Sequence, residues 1–119
     1  MNIKQGEIWL VNFNPNVGNE TQKTRPCVVV NDNSLGRFGL KIVVPITTWK
    51  EQFLNYPWII KVENNPTNRL SKVSAFECFQ IKSFSTERFV KQIGKISEKE
   101  ILEIHQTVAK TLSPKYKLA

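Results

Sequence analysis

The side chains best suited to chemistry are Arg25, which closes the polar stretch Gly18-Asn19-Glu20-Thr21-Gln22-Lys23-Thr24, and the pair Thr47-Thr48, which closes an apolar run. Pro26 follows Arg25 and leads directly into Cys27-Val28-Val29-Val30. Proline fixes its own φ and biases the residue before it towards extended backbone. The guanidinium therefore gains a firm base where a loop becomes a strand, with access to solvent. A cation mounted there can contact a phosphate or stabilise charge that develops in a reaction. It can equally be a solvated charge at a loop end. A strand-end threonine is a hydroxyl donor, but threonine is also common in strands for its β propensity alone.

Cleavage of RNA without a metal fits these residue types. RNA carries its own nucleophile, the 2′-hydroxyl. A protein must align that oxygen with the phosphorus, neutralise the added negative charge and move protons. One arginine with hydroxyl donors supplies the charge stabilisation, and Arg25 and Thr47 match by type. Trp49, Arg37 and Phe38 are of the kinds that stack on or clamp bases in single-strand binders. Trp49 reads equally well as packing at a strand end.

Other chemistries lack parts. His105, the chain's one histidine, falls on the apolar side of a C-terminal helical pattern and reads as packed or boundary structure. There is no GxxxxGK phosphate loop and no carboxylate cluster dense enough for magnesium. Cys27 and Cys78 lie in separate apolar runs without metal-ligand spacing, so they read as buried free thiols. No cofactor and no metal site is expected.

A small β domain has to position these groups. Alternation and turn residues predict strands over residues 6–13, 26–31, 40–47, 58–62, 71–84 and 91–96. The first is apolar on both faces, with Trp9, Val11 and Phe13 on one and Ile8 and Leu10 on the other. Such a strand is either central in a barrel or shared between the core and a subunit interface. Pro45 in the third strand implies an edge or a bulge, because proline donates nothing to a ladder. Glu77 interrupts the apolar set of the longest strand, where a bend or an interface is possible. Asn64-Asn65-Pro66-Thr67-Asn68 is a turn, and Ser85-Thr86-Glu87-Arg88 a short capped helical turn. Ser97 and Glu100 form a capping box, after which Ile101, Ile104, His105, Val108, Ala109 and Leu112 recur at helical spacing until Pro114. The favoured architecture is mainly β with a C-terminal helix, in a small, strongly bent barrel.

At 119 residues, a single domain spanning 1–119 is expected, long enough to bury a core without staples. No apolar run reaches the length of a membrane span, and residues 1–5 lack a hydrophobic signal region, so the expected compartment is the cytoplasm. Seventeen Lys and Arg against ten Asp and Glu give a net charge of +7, which attracts polyanions without naming one. Nucleic acid and an acidic protein partner fit equally.

Four blocks in order narrow the choice: Gly6-Glu7-Ile8-Trp9-Leu10-Val11, the Gly18-Asn19-Glu20 loop ending at Arg25-Pro26, Val43-Val44-Pro45-Ile46-Thr47, and Phe79-Gln80-Ile81-Lys82-Ser83. Together they resemble the MazF/PemK family of toxins, across nearly the whole chain and without a large insertion. The resemblance implies an SH3-like, CcdB/PemK-like barrel that works as a homodimer. It implies an endoribonuclease (mRNA interferase) that cleaves single-stranded RNA sequence-specifically, leaving a 2′,3′-cyclic phosphate and a 5′-hydroxyl, as the toxin of a type II toxin–antitoxin pair. It also implies inhibition by a cognate antitoxin with an acidic tail. The family's catalytic arginine falls on Arg25, its strand-end hydroxyl on Thr47, and its acidic loop residue on Glu20, for proton transfer or RNA positioning. Candidate RNA contacts are Thr48, Trp49, Arg37, Lys23, Gln80 and Lys82. In the Gln80-Ile81-Lys82 block, lysine replaces the family's arginine, keeping charge but losing the bidentate fork. Thr24 stands where some relatives carry a basic or imidazole side chain, which leaves the proton acceptor unassigned. Two alternatives remain: a CcdB-like toxin that binds gyrase and cuts nothing, and an SH3-like module that binds nucleic acid without cleaving it.

Overall fold

The computed structural model describes residues 2–14, 23–35 and 39–113. Glu20, Arg37, Phe38 and Pro114, named above, lie outside the described residues. Among these residues seven strands run antiparallel: β1 (Glu7–Asn12), β2 (Thr24–Val29), β3 (Leu40–Thr48), β4 (Ile59–Val62), β5 (Ser74–Glu77), β6 (Lys82–Ser85) and β7 (Phe89–Lys95). One helix, α1 (Glu98–Leu112), follows. The strand order is β4-β5-β3-β2-β1-β7, with β6 also paired to β3. Among the described residues, no helix is long and apolar enough to cross a membrane.

Both faces of β1 are buried within the chain. Ile8 joins Val28, Val44, Ile46, Phe76 and the helix residues Ile101 and Ile104 on one side of the sheet. Trp9 and Val11 join Cys27, Val29, Val43 and Phe89 on the other, with Phe13 and Phe84 packed against them. The period-2 pattern thus sorts into two clusters, as expected of a strand central in a bent sheet. Register shifts between Ile8 and Trp9 and between Leu10 and Val11 bend β1 against β7. The bend brings the far edge of the sheet round: the Lys95 N–H donates to the Thr67 carbonyl, from the turn that links β4 to β5, at 3.2 Å. Gly94 permits this closure, because a Cβ there would meet the Asn68 carbonyl oxygen at 2.4 Å.

Pro45 is not at an edge. It is buried in β3, opposite Cys27 of β2. On its other flank β3 changes partner: Val43 is the last residue opposite β6 and Ile46 the first opposite β5. Proline falls in the gap between these ladders, where its missing N–H leaves no registered partner unmet. The predicted strand over 71–84 is likewise two strands, β5 and β6, separated by a 3-10 turn at Cys78–Gln80. The break comes directly after Glu77.

α1 carries the expected capping box: the Ser97 hydroxyl accepts from the Glu100 N–H, and the Glu100 carboxylate accepts from the Ser97 N–H. Its buried seam is Ile101, Ile104 and Thr107, so His105 and Leu112 lie off it. His105 is exposed, yet its Nε2 is 2.8 Å from the Val30 carbonyl. A carbonyl accepts and cannot donate, so Nε2 carries the proton and ties the helix to the end of β2.

Cys27 and Cys78 are free and fully buried. Burial pushes each thiol from 9.0 up to about 12. At pH 8 the folded protein is expected to resist a maleimide, with both thiols reacting once denaturant is added. Between the unfolded value near 9 and the folded value near 12, the folded state holds the extra protons. Stability present below that window is therefore lost as pH rises through it. Rapid labelling of the native protein at pH 8 would contradict this packing.

Candidate active site

The β1–β2 ladder sets Arg25 opposite Val11, and the β2–β3 ladder sets Cys27 opposite Pro45. Continuing the second register by two residues brings Arg25 across from Thr47. Both line one cleft of 280 Å³, together with Thr48, Leu70, Ser71 and Lys72. Arg25 is exposed and Thr47 half-buried. β3 fixes the threonines from its other side, with Thr47 opposite Ala75 and Thr48 opposite Ser74. Rigid strands on both flanks hold a cation and two hydroxyls at the rim of one depression, which is the arrangement that phosphate chemistry needs.

A second cation shares an aromatic neighbour with Arg25. The Arg25 guanidinium carbon lies 5.7 Å from the centroid of the Phe13 ring, and Lys82 Nζ lies 5.2 Å from the same centroid. Phe13 packs edge-on against Phe84, with centroids 4.8 Å apart. Cys27 records this field from below. Burial raises its thiol most, while the charges of Lys82 and Arg25 lower it without overcoming the burial.

The ends of the β1–β2 connection are fastened at this site. Phe13 N–H donates to the Lys23 carbonyl at 2.8 Å, and Lys23 N–H donates to Asn14 Oδ1 at 3.1 Å. Lys23 itself is exposed beside the start of β2.

The turn between β4 and β5 supplies the cleft's far wall. Asn68, 1% exposed, accepts from the Asn65 and Leu70 N–H groups and donates to the Glu63 carbonyl. Its buried side chain supplies partners for the backbone of an otherwise exposed turn. Arg69 takes a left-handed φ of 55°, and the chain then delivers Leu70, Ser71 and Lys72 to the cleft. The Ser74 hydroxyl donates to the Lys72 carbonyl at 2.8 Å, which holds this segment against β5. Sequence reasoning passed over Ser71, Lys72 and the ring of Phe13. The turn was legible, but its fold-back over the end of β3 depends on distant strands.

Of the described candidates, Arg25, Thr47 and Thr48 line the cleft, whereas Lys23, Lys82, Trp49 and Gln80 do not. Trp49 packs edge-on with Phe53, and Lys61 Nζ sits 5.2 Å from a Trp49 ring centroid. Its Nε1 is buried with no hydrogen-bond partner among the described residues. Gln80 is exposed on the 3-10 turn between β5 and β6. A larger cavity of 400 Å³ is lined by Gln5, Asn33, Glu98 and His105 among others. A carboxylate on its wall disfavours a phosphate, so size is a poor guide to the anion site here. Among the described residues, no three His, Cys, Asp or Glu side chains gather where a metal ion could sit.

A bent antiparallel sheet with one C-terminal helix is the fold of known toxins. MazF from Deinococcus radiodurans superposes with a TM-score of 0.73 at 18% identity, over 96% of this chain and 99% of that one. An endoribonuclease in complex with its cognate antitoxin, from a mycobacterial species, superposes with a TM-score of 0.74 at 13% identity, over 97% and 99%. In sequence, endoribonuclease MazF9 of Mycobacterium tuberculosis is 33% identical over 113 residues, covering 89% of this chain and 92% of the relative. Residues 4–112 match the PemK-like, MazF-like toxins of type II toxin–antitoxin systems. The chain belongs to that family, whose matched curated members are named endoribonucleases.

Proposed function

We propose that this chain, acting as one domain over residues 1–119, is a metal-independent endoribonuclease that cuts single-stranded RNA at specific sequences. The observation that carries this reading is the shared cleft of Arg25 and Thr47. The RNA 2′-oxygen attacks the adjacent phosphorus as the bond to the 5′-oxygen breaks. The 2′-hydroxyl gives up its proton and the departing 5′-oxygen takes one up, so the products are a 2′,3′-cyclic phosphate and a 5′-hydroxyl. Arg25 stabilises the charge that accumulates on the non-bridging oxygens, in the position where such donors are worth most. Thr47 and Thr48 add hydroxyl donors, and Lys82 adds a second positive charge beside Arg25. Glu20 takes the proton of the attacking hydroxyl or positions the RNA. Trp49, Arg37, Gln80 and Lys23 extend the contact surface along the strand.

The expected setting is a cytoplasmic homodimer, held inactive by a cognate antitoxin whose acidic segment complements the net charge of +7. Purified protein should cleave a single-stranded RNA in EDTA and spare the all-deoxy strand of the same sequence. The fragments should carry cyclic phosphate and 5′-hydroxyl ends. Gyrase supercoiling, assayed in parallel, should be unaffected. Intact RNA together with blocked supercoiling would favour the gyrase-binding alternative. Intact RNA with salt-sensitive binding would favour a binding module.

A further inference from the structure

We propose that Phe13 is a positioning residue for strand scission, its ring holding the Arg25 guanidinium and the Lys82 ammonium together at one phosphate site. The inference rests on the endoribonuclease reading above. Arg25 belongs to β2 and Lys82 to β6, and these strands flank β3 on opposite sides. No ladder between β2 and β6 sets the distance between the two cations. Phe13 is the contact they share, with one cation 5.7 Å and the other 5.2 Å from its ring centroid. Both fall within the roughly 6 Å over which an aromatic face attracts a cation.

An aromatic ring suits this place for a chemical reason. Two like charges near each other repel until a phosphate arrives. A carboxylate between them would relieve the repulsion, but it would compete with the phosphate for both. The negative face of a ring relieves part of the repulsion and leaves the N–H donors free for the substrate.

The ring is itself anchored. Its edge contact with Phe84 is 4.8 Å between centroids at 63°. The Arg88 guanidinium lies 5.7 Å from the Phe84 centroid. Arg88 also donates to the Asn12 carbonyl at 3.2 Å and to the Asn14 carbonyl, the residues on either side of Phe13. Arg88 thus braces both the backbone that flanks Phe13 and the ring that packs against it.

The test keeps the shape of residue 13 and removes its electrostatics. Phe13 is replaced by phenylalanines bearing one, two and three ring fluorines, and single-turnover cleavage of an RNA is measured. The rate is expected to fall stepwise with each fluorine, by about tenfold across the series, with the thermal midpoint unchanged. Phe13→Tyr should cleave close to the unmodified rate, and Phe13→Leu should be slowed at least as much as the trifluoro form. A purely packing role would leave the fluorine series flat, and a flat series from a protein that cuts RNA would overturn the proposal alone. Unmodified protein that leaves RNA intact would overturn the endoribonuclease reading, and this inference with it.

Discussion

Replacing Arg25 with alanine is expected to slow RNA cleavage by about a thousandfold or more, with little change in stability. The kinetic loss follows from where the charge develops. The phosphorane-like transition state carries more negative charge on its non-bridging oxygens than the ground state does, so a donor aimed there accelerates the step itself. Removing one such donor from a preorganised site costs about 10²–10³ in rate, and loss of the full positive charge adds to that. Arg25→Lys should fall between, slowed by about a hundredfold, because the charge stays and the planar fork is lost. Stability should hold because the side chain is exposed, and truncation at such sites changes stability by about 0.5 kcal/mol or less. RNA binding should weaken modestly and uniformly across sequences, with the salt slope reduced by about one phosphate contact. Single-turnover kinetics, a melting curve and a salt titration separate these effects. Cleavage by Arg25→Ala within tenfold of the unsubstituted protein would remove the guanidinium from the reaction.

The sequence made some of this site visible because the relevant constraints are local. The Arg25-Pro26 step is one: a restricted dipeptide before a β-branched run marks where a strand begins, although β2 starts earlier, at Thr24. The Ser97–Glu100 box is another, since both partners lie within one turn. Glu77 was read as marking a bend or an interface, and a 3-10 turn follows it. What stayed hidden depends on register between distant strands. Nothing near Phe13 in the sequence indicates that Lys82 will approach its ring, because that requires β3 to pair with β2 and β6 on opposite flanks. Pro45 was read as an edge or a bulge; it is not at an edge, because the change of ladder partner along β3 creates a tolerant place in the middle of the sheet. In α1, hydropathy alone admitted His105 and Leu112 to the apolar stripe, whereas packing selects Thr107. Trp49 was read as either base contact or packing, and its ring lies against Phe53 and Lys61.

Gly94→Ala is expected to lower the thermal midpoint by about 10 °C and to slow cleavage even well below the melting range. Gly94 sits in β7 opposite Ile8. A Cβ there would lie 2.4 Å from the Asn68 carbonyl oxygen, 2.6 Å from its carbon and 2.7 Å from the Thr67 oxygen. All three are backbone atoms, so no side chain can rotate away, and the turn must move. The turn resists, because buried Asn68 fastens it to Glu63, Asn65 and Leu70, and the Lys95–Thr67 hydrogen bond fastens it to β7. Overpacking of this kind costs about 1–3 kcal/mol, and a strained closing bond adds to it. For a domain of this size, about 2–3 kcal/mol corresponds to roughly 10 °C. The same turn runs on into Leu70, Ser71 and Lys72, so a shift of about 1 Å displaces the far wall of the cleft and should cost about tenfold in rate. Gly39→Ala provides the contrast. Gly39 has a φ of +72°, and among the described residues its added Cβ meets only the Thr86 hydroxyl oxygen, at 3.7 Å. It should lose about 1 kcal/mol through backbone strain and keep its cleavage rate. If Gly94→Ala is destabilised but cuts RNA at the unsubstituted rate at 15–20 °C, the turn closes the barrel without shaping the cleft. If it is neither destabilised nor slowed, the contact between β7 and the turn is looser than its geometry requires.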